Sequence, residues 1–106
     1  MAKFLVKASY SAAGSQGVRT AGGSARREAV ARMAESLGGT LESFYFAFGA
    51  TDVYAVFDLP DNRSAAAASL TVSAGGGSTS EVVVLLTPEE VDEAAKLSVD
   101  FRPPGS

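Results

Sequence analysis

Cysteine, histidine and tryptophan are all absent from this 106-residue chain. Without the first two there is no disulfide, no thiol nucleophile, no Ser-His-Asp or Cys-His arrangement, no haem or iron–sulfur ligation, and almost no zinc or copper chemistry. Any reaction has to run on Asp, Glu, Lys, Arg, Tyr, Ser and Thr, and no catalytic signature is visible in their spacing. No metal site and no cofactor are expected. Positive charge is also sparse: nine Lys and Arg against twelve Asp and Glu give a formal net charge of -3, and the cations are scattered. Binding to a phosphate backbone needs several convergent cations, so nucleic acid is not expected as a partner. Long apolar runs are missing too. Lys7 interrupts the apolar run of "MAKFLVKASYS", which leaves neither the h-region of a signal peptide nor a spanning segment of about 20 apolar residues. The expectation is a cytoplasmic protein with no membrane partner.

What remains is material for a core. With 46% hydrophobic and 20% charged residues, the composition is that of a folded globular domain. A chain of this length buries roughly two-thirds of its unfolded surface. One domain over residues 1–106 is expected.

Lys3 to Tyr10 alternates Phe4, Val6, Ala8 and Tyr10 with Leu5, Lys7 and Ser9, the period of a strand. "SAAGSQGVRTAGG", Ser11 to Gly23, reads as a loop with at most one weak helical turn. Ser24 is placed to cap a helix through Leu37, with Ala29, Val30, Met33, Ala34 and Leu37 on its apolar stripe and Gly38-Gly39 as its stop. Thr40–Phe48 and Asp52–Leu59 form two strands of an antiparallel hairpin, in which Gly49 is expected to supply positive φ and Asp52 to bond turn N–H groups. Asp61 or Ser64 caps a second, alanine-rich helix that stops at Gly75-Gly76-Gly77. "TSEVVVLLT" is a fourth strand, and its continuous Val82–Leu86 run is expected to be covered on both faces. In "TPEEVDEAAKL", Thr87, Pro88 and Glu90 have the spacing of a capping box with proline at the first helical position. The final "SVDFRPPGS" is expected to be an extended docking tail.

The order strand, helix, strand, strand, helix, strand, with an extra C-terminal helix and tail, is that of an α+β, ferredoxin-like split βαββαβ fold. Both crossing helices lie on one face of a four-stranded antiparallel sheet, and strands one and three are central. The other face is left bare.

That bare face collects the chemistry. Strand alternation sends Lys7, Ser9, Ser43, Tyr45, Tyr54 and Asp58 outward, with Leu5, Ala47 and Val56 among them, while Phe44, Phe46, Phe48, Val53, Ala55 and Phe57 face the helices. An apolar face of this kind is expected to pair with a second copy of the chain, as a homodimer or higher oligomer, and its polar groups are candidates for a small-molecule pocket. A second, weaker candidate is an anion site at Ser24, Arg26 and Arg27. "GVRTAGGS" has P-loop spacing, but Gly23 stands in place of the lysine, so nucleotide binding is not expected. Glu89, Glu90, Asp92 and Glu93 lie in the first turns of a helix, where the dipole favours them without any catalytic role.

The blocks "KFLVKASYS", "GGSARREAV", "ESLGGTLESFYFAFGATDVYAVFDLPDN", "VVLLTPEEVD" and "DFRPPG" resemble the GYD domain family of small bacterial proteins. The resemblance runs from Lys3 to Gly105. It implies a ferredoxin-like unit related to those that pair through their sheets into dimeric α/β barrels, and it implies no established activity. Gly49 and Asp52 match the family's signature, while Thr51 stands where its tyrosine is expected. Two functions follow: a homo-oligomeric binding or assembly module using the bare face, or a cofactor-independent acid–base enzyme, isomerase-like, working with Lys7, Tyr45, Tyr54 or Asp58.

Overall fold

The computed structural model describes residues 1–47 and 49–105. The chain runs β1 (Ala2–Tyr10), α1 (Ala12–Ala21), α2 (Gly23–Ser36), β2 (Thr40–Phe46), β3 (Val53–Leu59), α3 (Asn62–Ala74), β4 (Ser78–Leu85) and α4 (Pro88–Ala95). The four strands form one antiparallel sheet in the order β2-β3-β1-β4, with β1 and β3 central. This is the ferredoxin-like α+β arrangement that the element order implies.

Register fixes the two faces. Phe4 lies opposite Phe57 on β3 and Val84 on β4, and Val6 lies opposite Ala55 and Val82. These residues face α2 and α3. Phe4, Val53, Ala55, Phe57 and Leu59 from the sheet, Val30 and Ala34 from α2, and Ala65 from α3 are buried and form the core. Phe4, 1% exposed, is the largest side chain that is fully enclosed. Burying such a side chain contributes about 1.5–3 kcal/mol. Phe44 and Phe46 also lie on the helix side, in an edge-to-face contact with centroids 5.2 Å apart. Phe48, expected in the same series and as the end of β2, lies outside the described residues.

Two helix ends match their sequence signals. The Asp61 carboxylate accepts the Ser64 N–H at 2.9 Å and starts α3. At α4, Thr87 Oγ1 accepts the Glu90 N–H at 3.1 Å, and Glu90 Oε1 accepts the Thr87 N–H at 3.0 Å. The capping box is closed in both directions.

Four expectations need correction. Ser11–Gly23 is not a loop, because α1 occupies Ala12–Ala21. Ser11 caps it by accepting the Gly14 N–H, and Ser11 donates both its backbone N–H (2.9 Å) and its hydroxyl (3.1 Å) to the Gly77 carbonyl. At Gly14 a Cβ would lie 2.0 Å from that same carbonyl oxygen, so only glycine lets α1 sit this close. Ser24 is not a cap either. Helix α2 starts at Gly23 from Gly22, whose φ of 94° only glycine adopts freely, and no side chain caps it.

The third correction concerns the hairpin. Positive φ among the described residues falls at Gly22, Gly38, Gly76 and Gly105, and Gly49 is not one of them. The β2–β3 turn is closed by the Ala47 N–H donating to the Asp52 carbonyl at 2.8 Å. The Asp52 carboxylate accepts the Tyr10 N–H at 2.8 Å, so Asp52 ties the hairpin to β1 instead of folding back on its own turn. Finally, the apolar run of β4 is not covered on both faces within one chain. It is an edge strand, and Val84 and Leu86 are more than half exposed.

Candidate functional site

Among the described residues the helices with the main contacts to the sheet are α1, α2 and α3, and the face opposite α2 and α3 is half-buried to exposed. Along β1 it presents Lys3, Leu5, Lys7 and Ser9, flanked by Asp58, Val56 and Tyr54 on β3 and by Leu85, Val83, Glu81 and Thr79 on β4. Strand β2 adds Ser43 opposite Val56 and Tyr45 opposite Tyr54. All six side chains expected there, Lys7, Ser9, Ser43, Tyr45, Tyr54 and Asp58, share this face.

They do not form one constellation. Lys7 lies opposite Tyr54 and Glu81, and its Nζ is 3.8 Å from Glu81 Oε2. Asp58 is four positions further along β3, opposite Lys3, a separation of roughly 13 Å at strand rise. Asp58 Oδ2 is 3.6 Å from Lys3 Nζ, while its Oδ1 is buried without a hydrogen-bond partner among the described residues. Ser9 is engaged elsewhere, its hydroxyl donating to the Ala50 carbonyl at 2.8 Å. Tyr45 is 70% exposed and Tyr54 41%.

The result is zoned. A belt of Leu5, Val56 and Val83, with Tyr45 and Tyr54 beside it, runs across the strands. At one end Lys3 donates to Glu42 and lies beside Asp58; toward the other, Lys7 faces Glu81. The hydrogen bond to Glu42 raises the Lys3 ammonium above its ordinary value, burial opposes this, and the charge of Asp58 adds to the rise. Glu42 escapes an alternation argument because it sits in the register shift between Leu41 and Ser43. An extra residue in a strand changes which face its side chain reaches. Lys3, Val83 and Glu81 fall on the face by alternation and strand pairing, once the sheet order is known.

The second candidate set, Ser24, Arg26 and Arg27, is not brought together. Ser24 and Arg27 are exposed in α2. Arg26 instead turns inward, its guanidinium 5.9 Å from the centre of the Tyr10 ring. The P-loop spacing lies within α1 and the start of α2, which excludes a strand-loop-helix phosphate cradle. Among the described residues no group of three or more Asp, Glu, His or Cys side chains is placed to hold a metal ion, and no helix is long and apolar enough to cross a membrane.

The C-terminal segment is solvent-exposed along its length among the described residues. Every described residue from Pro88 to Gly105 is exposed, including Leu97 at 72%, Val99 at 79% and Phe101 at 72%. The principal extents of 57 × 33 × 23 Å show how elongated the molecule is.

No curated protein and no solved structure matches the chain. The GYD domain matches residues 4–95, from within β1 to the end of α4. The chain belongs to the GYD domain family.

Proposed function

We propose that the protein is a homo-oligomeric assembly or binding module in which two copies cover each other's helix-free sheet face. The belt of half-buried Leu5, Val56 and Val83 with the exposed Tyr45 and Tyr54 carries this reading, since among the described residues α2 and α3 pack on the opposite face. Contiguous apolar surface rimmed by polar groups marks an interaction site. The rim here holds both charge signs: Lys3, Glu42 and Asp58 at one end, and Lys7 with Glu81 toward the other. In a two-fold pairing the same patch meets itself, so a face of mixed sign is self-compatible.

Size gives the C-terminal arm a role. Four strands of about eight residues make a face roughly 19 Å by 26 Å, about three-fifths of the ~800 Å² per partner that a standard interface buries. Leu97, Val99 and Phe101 supply further apolar area from the arm. Any small molecule bound by this module would be enclosed between the sheets, next to Lys7, Ser43, Tyr45 and Tyr54. Acid–base catalysis is the weaker reading, because Lys7 and Asp58 belong to different charge clusters within one copy.

The test is Val56→Arg, which places a charge in the middle of the belt without touching the core. Light scattering is expected to show the wild type as an oligomer and this variant as a folded monomer. An oligomer unaffected by the substitution would refute the sheet face as the interface.

A further inference from the structure

A cleft of about 510 Å³ opens between α1, α2 and α3 on the helix side of the sheet, away from the proposed interface. One wall is a single face of α1: Gly14, Gly17, Val18 and Ala21 recur at i, i+3, i+4 and i+7. Ala29 of α2 and Val72 of α3 contribute to the other walls, and Arg26 and Tyr10 also line it. The volume lies within the range of small-molecule sites, about 300–1,000 Å³.

Arg26 is the one charged residue among the described residues lining this cleft. It forms no ion pair among the described residues, and its Nε is buried without an acceptor. Its guanidinium stands over the Tyr10 ring. A desolvated donor left unsatisfied is costly, and stacking on an aromatic face orients the planar fork. The site therefore holds one oriented, unpaired cation in small, mostly apolar walls.

We infer that this cleft binds a small carboxylic acid with an apolar body, its carboxylate held by Arg26. The guanidinium fork matches a carboxylate's two oxygens. A phosphate, with more oxygens and more charge, calls for several cationic or N–H donors, and this cleft offers one cationic side chain. Glycine and alanine along the walls leave room for a flat ring or a short alkyl chain.

The probes are benzoate, hexanoate and inorganic phosphate, titrated into the full chain and followed by two-dimensional amide NMR that includes the arginine Nε–H signals. Benzoate or hexanoate is expected to give saturable shifts at Arg26 Nε–H and at the amides of Gly14, Gly17, Val18 and Gly22. Arg26→Gln is expected to weaken binding roughly 10- to 100-fold, the loss of a hydrogen-bonded ion pair. Because Arg26 also packs on Tyr10, a second variant leaves it intact. Gly17→Leu adds bulk where a methyl group meets nothing within 4 Å; it is expected to fold and to abolish the shifts. No saturable shift up to about 10 mM carboxylate, weaker than any useful affinity, would overturn the site. Saturation by phosphate alone would overturn the ligand class, and unchanged binding in Gly17→Leu would overturn the location.

Discussion

The position of α1 can be tested with one pair of substitutions, Gly14→Ala and Gly17→Ala. Both replace glycine by alanine inside the same helix, so both gain the same intrinsic helix propensity, about 0.8–1.0 kcal/mol. They differ in what the new methyl group meets. At Gly17 it meets nothing within 4 Å, whereas at Gly14 it lies 2.0 Å from the Gly77 carbonyl oxygen and 3.2 Å from Tyr10 Cδ1. A backbone carbonyl does not swing aside as a flexible side chain would. Either α1 backs away, stretching the two bonds from Ser11 to Gly77, or the strain is retained. Overpacking of this kind costs about 1–3 kcal/mol. Propensity cancels between the variants, so Gly17→Ala should be the more stable by that amount, and their Tm values should differ by at least about 4 °C. Urea melts at one fixed protein concentration give the difference directly, since oligomer stability depends on concentration. Equal stabilisation of the two variants within about 0.5 kcal/mol would mean that α1 does not dock against Gly77.

Other outcomes follow from the same contacts. Phe4→Ala removes the largest fully enclosed side chain of the core and should cost about 3–5 kcal/mol in urea melts, a large share of the 5–15 kcal/mol typical of a domain. Asp52→Ala leaves the Tyr10 N–H without its carboxylate acceptor and should cost about 1.5–3 kcal/mol, with faster amide exchange at Tyr10. Thr87→Ala opens the capping box and should weaken α4 by about 1 kcal/mol; the loss should show as faster exchange at Val91–Ala95 while the core amides hold. The cap is also pH-sensitive. Accepting the Thr87 N–H holds the Glu90 carboxyl below its ordinary value of 4.5. A depressed carboxyl stabilises above its unfolded value and loses that contribution as pH falls through the folded one. Helix α4 should therefore loosen on acidification below about 4.5, and exchange at α4 that is flat across this range would contradict the assignment.

The strands, their faces and the closing capping box were legible because each is written locally. Alternation in β1 and β3 sorts Phe4 and Phe57 from Lys7 and Tyr54, and Thr87, Pro88 and Glu90 carry a helix start within four residues. Helix α1 was not legible, because Gly14 and Gly17 have poor helix propensity and read as loop. What holds it is a contact with Gly77, 66 residues from Ser11. Losing α1 also hid the cleft, since one of its walls is α1. Arg26 was visible as a cation but not as one stacked on Tyr10. On the sheet face, Glu42 was concealed by the register shift, and with it the Lys3–Glu42 pair. The continuous apolar run of β4 suggested cover on both faces; as an edge strand it leaves Val84 and Leu86 exposed instead.

Multi-angle light scattering on the full chain at micromolar concentration decides whether the helix-free face is an interface. The proposed pairing predicts a particle of at least twice the 10.8 kDa chain mass, falling to the single-chain mass in Val56→Arg. A wild-type chain that stays at 10.8 kDa, with its exposed tyrosines and half-buried apolar belt unpaired, would contradict it.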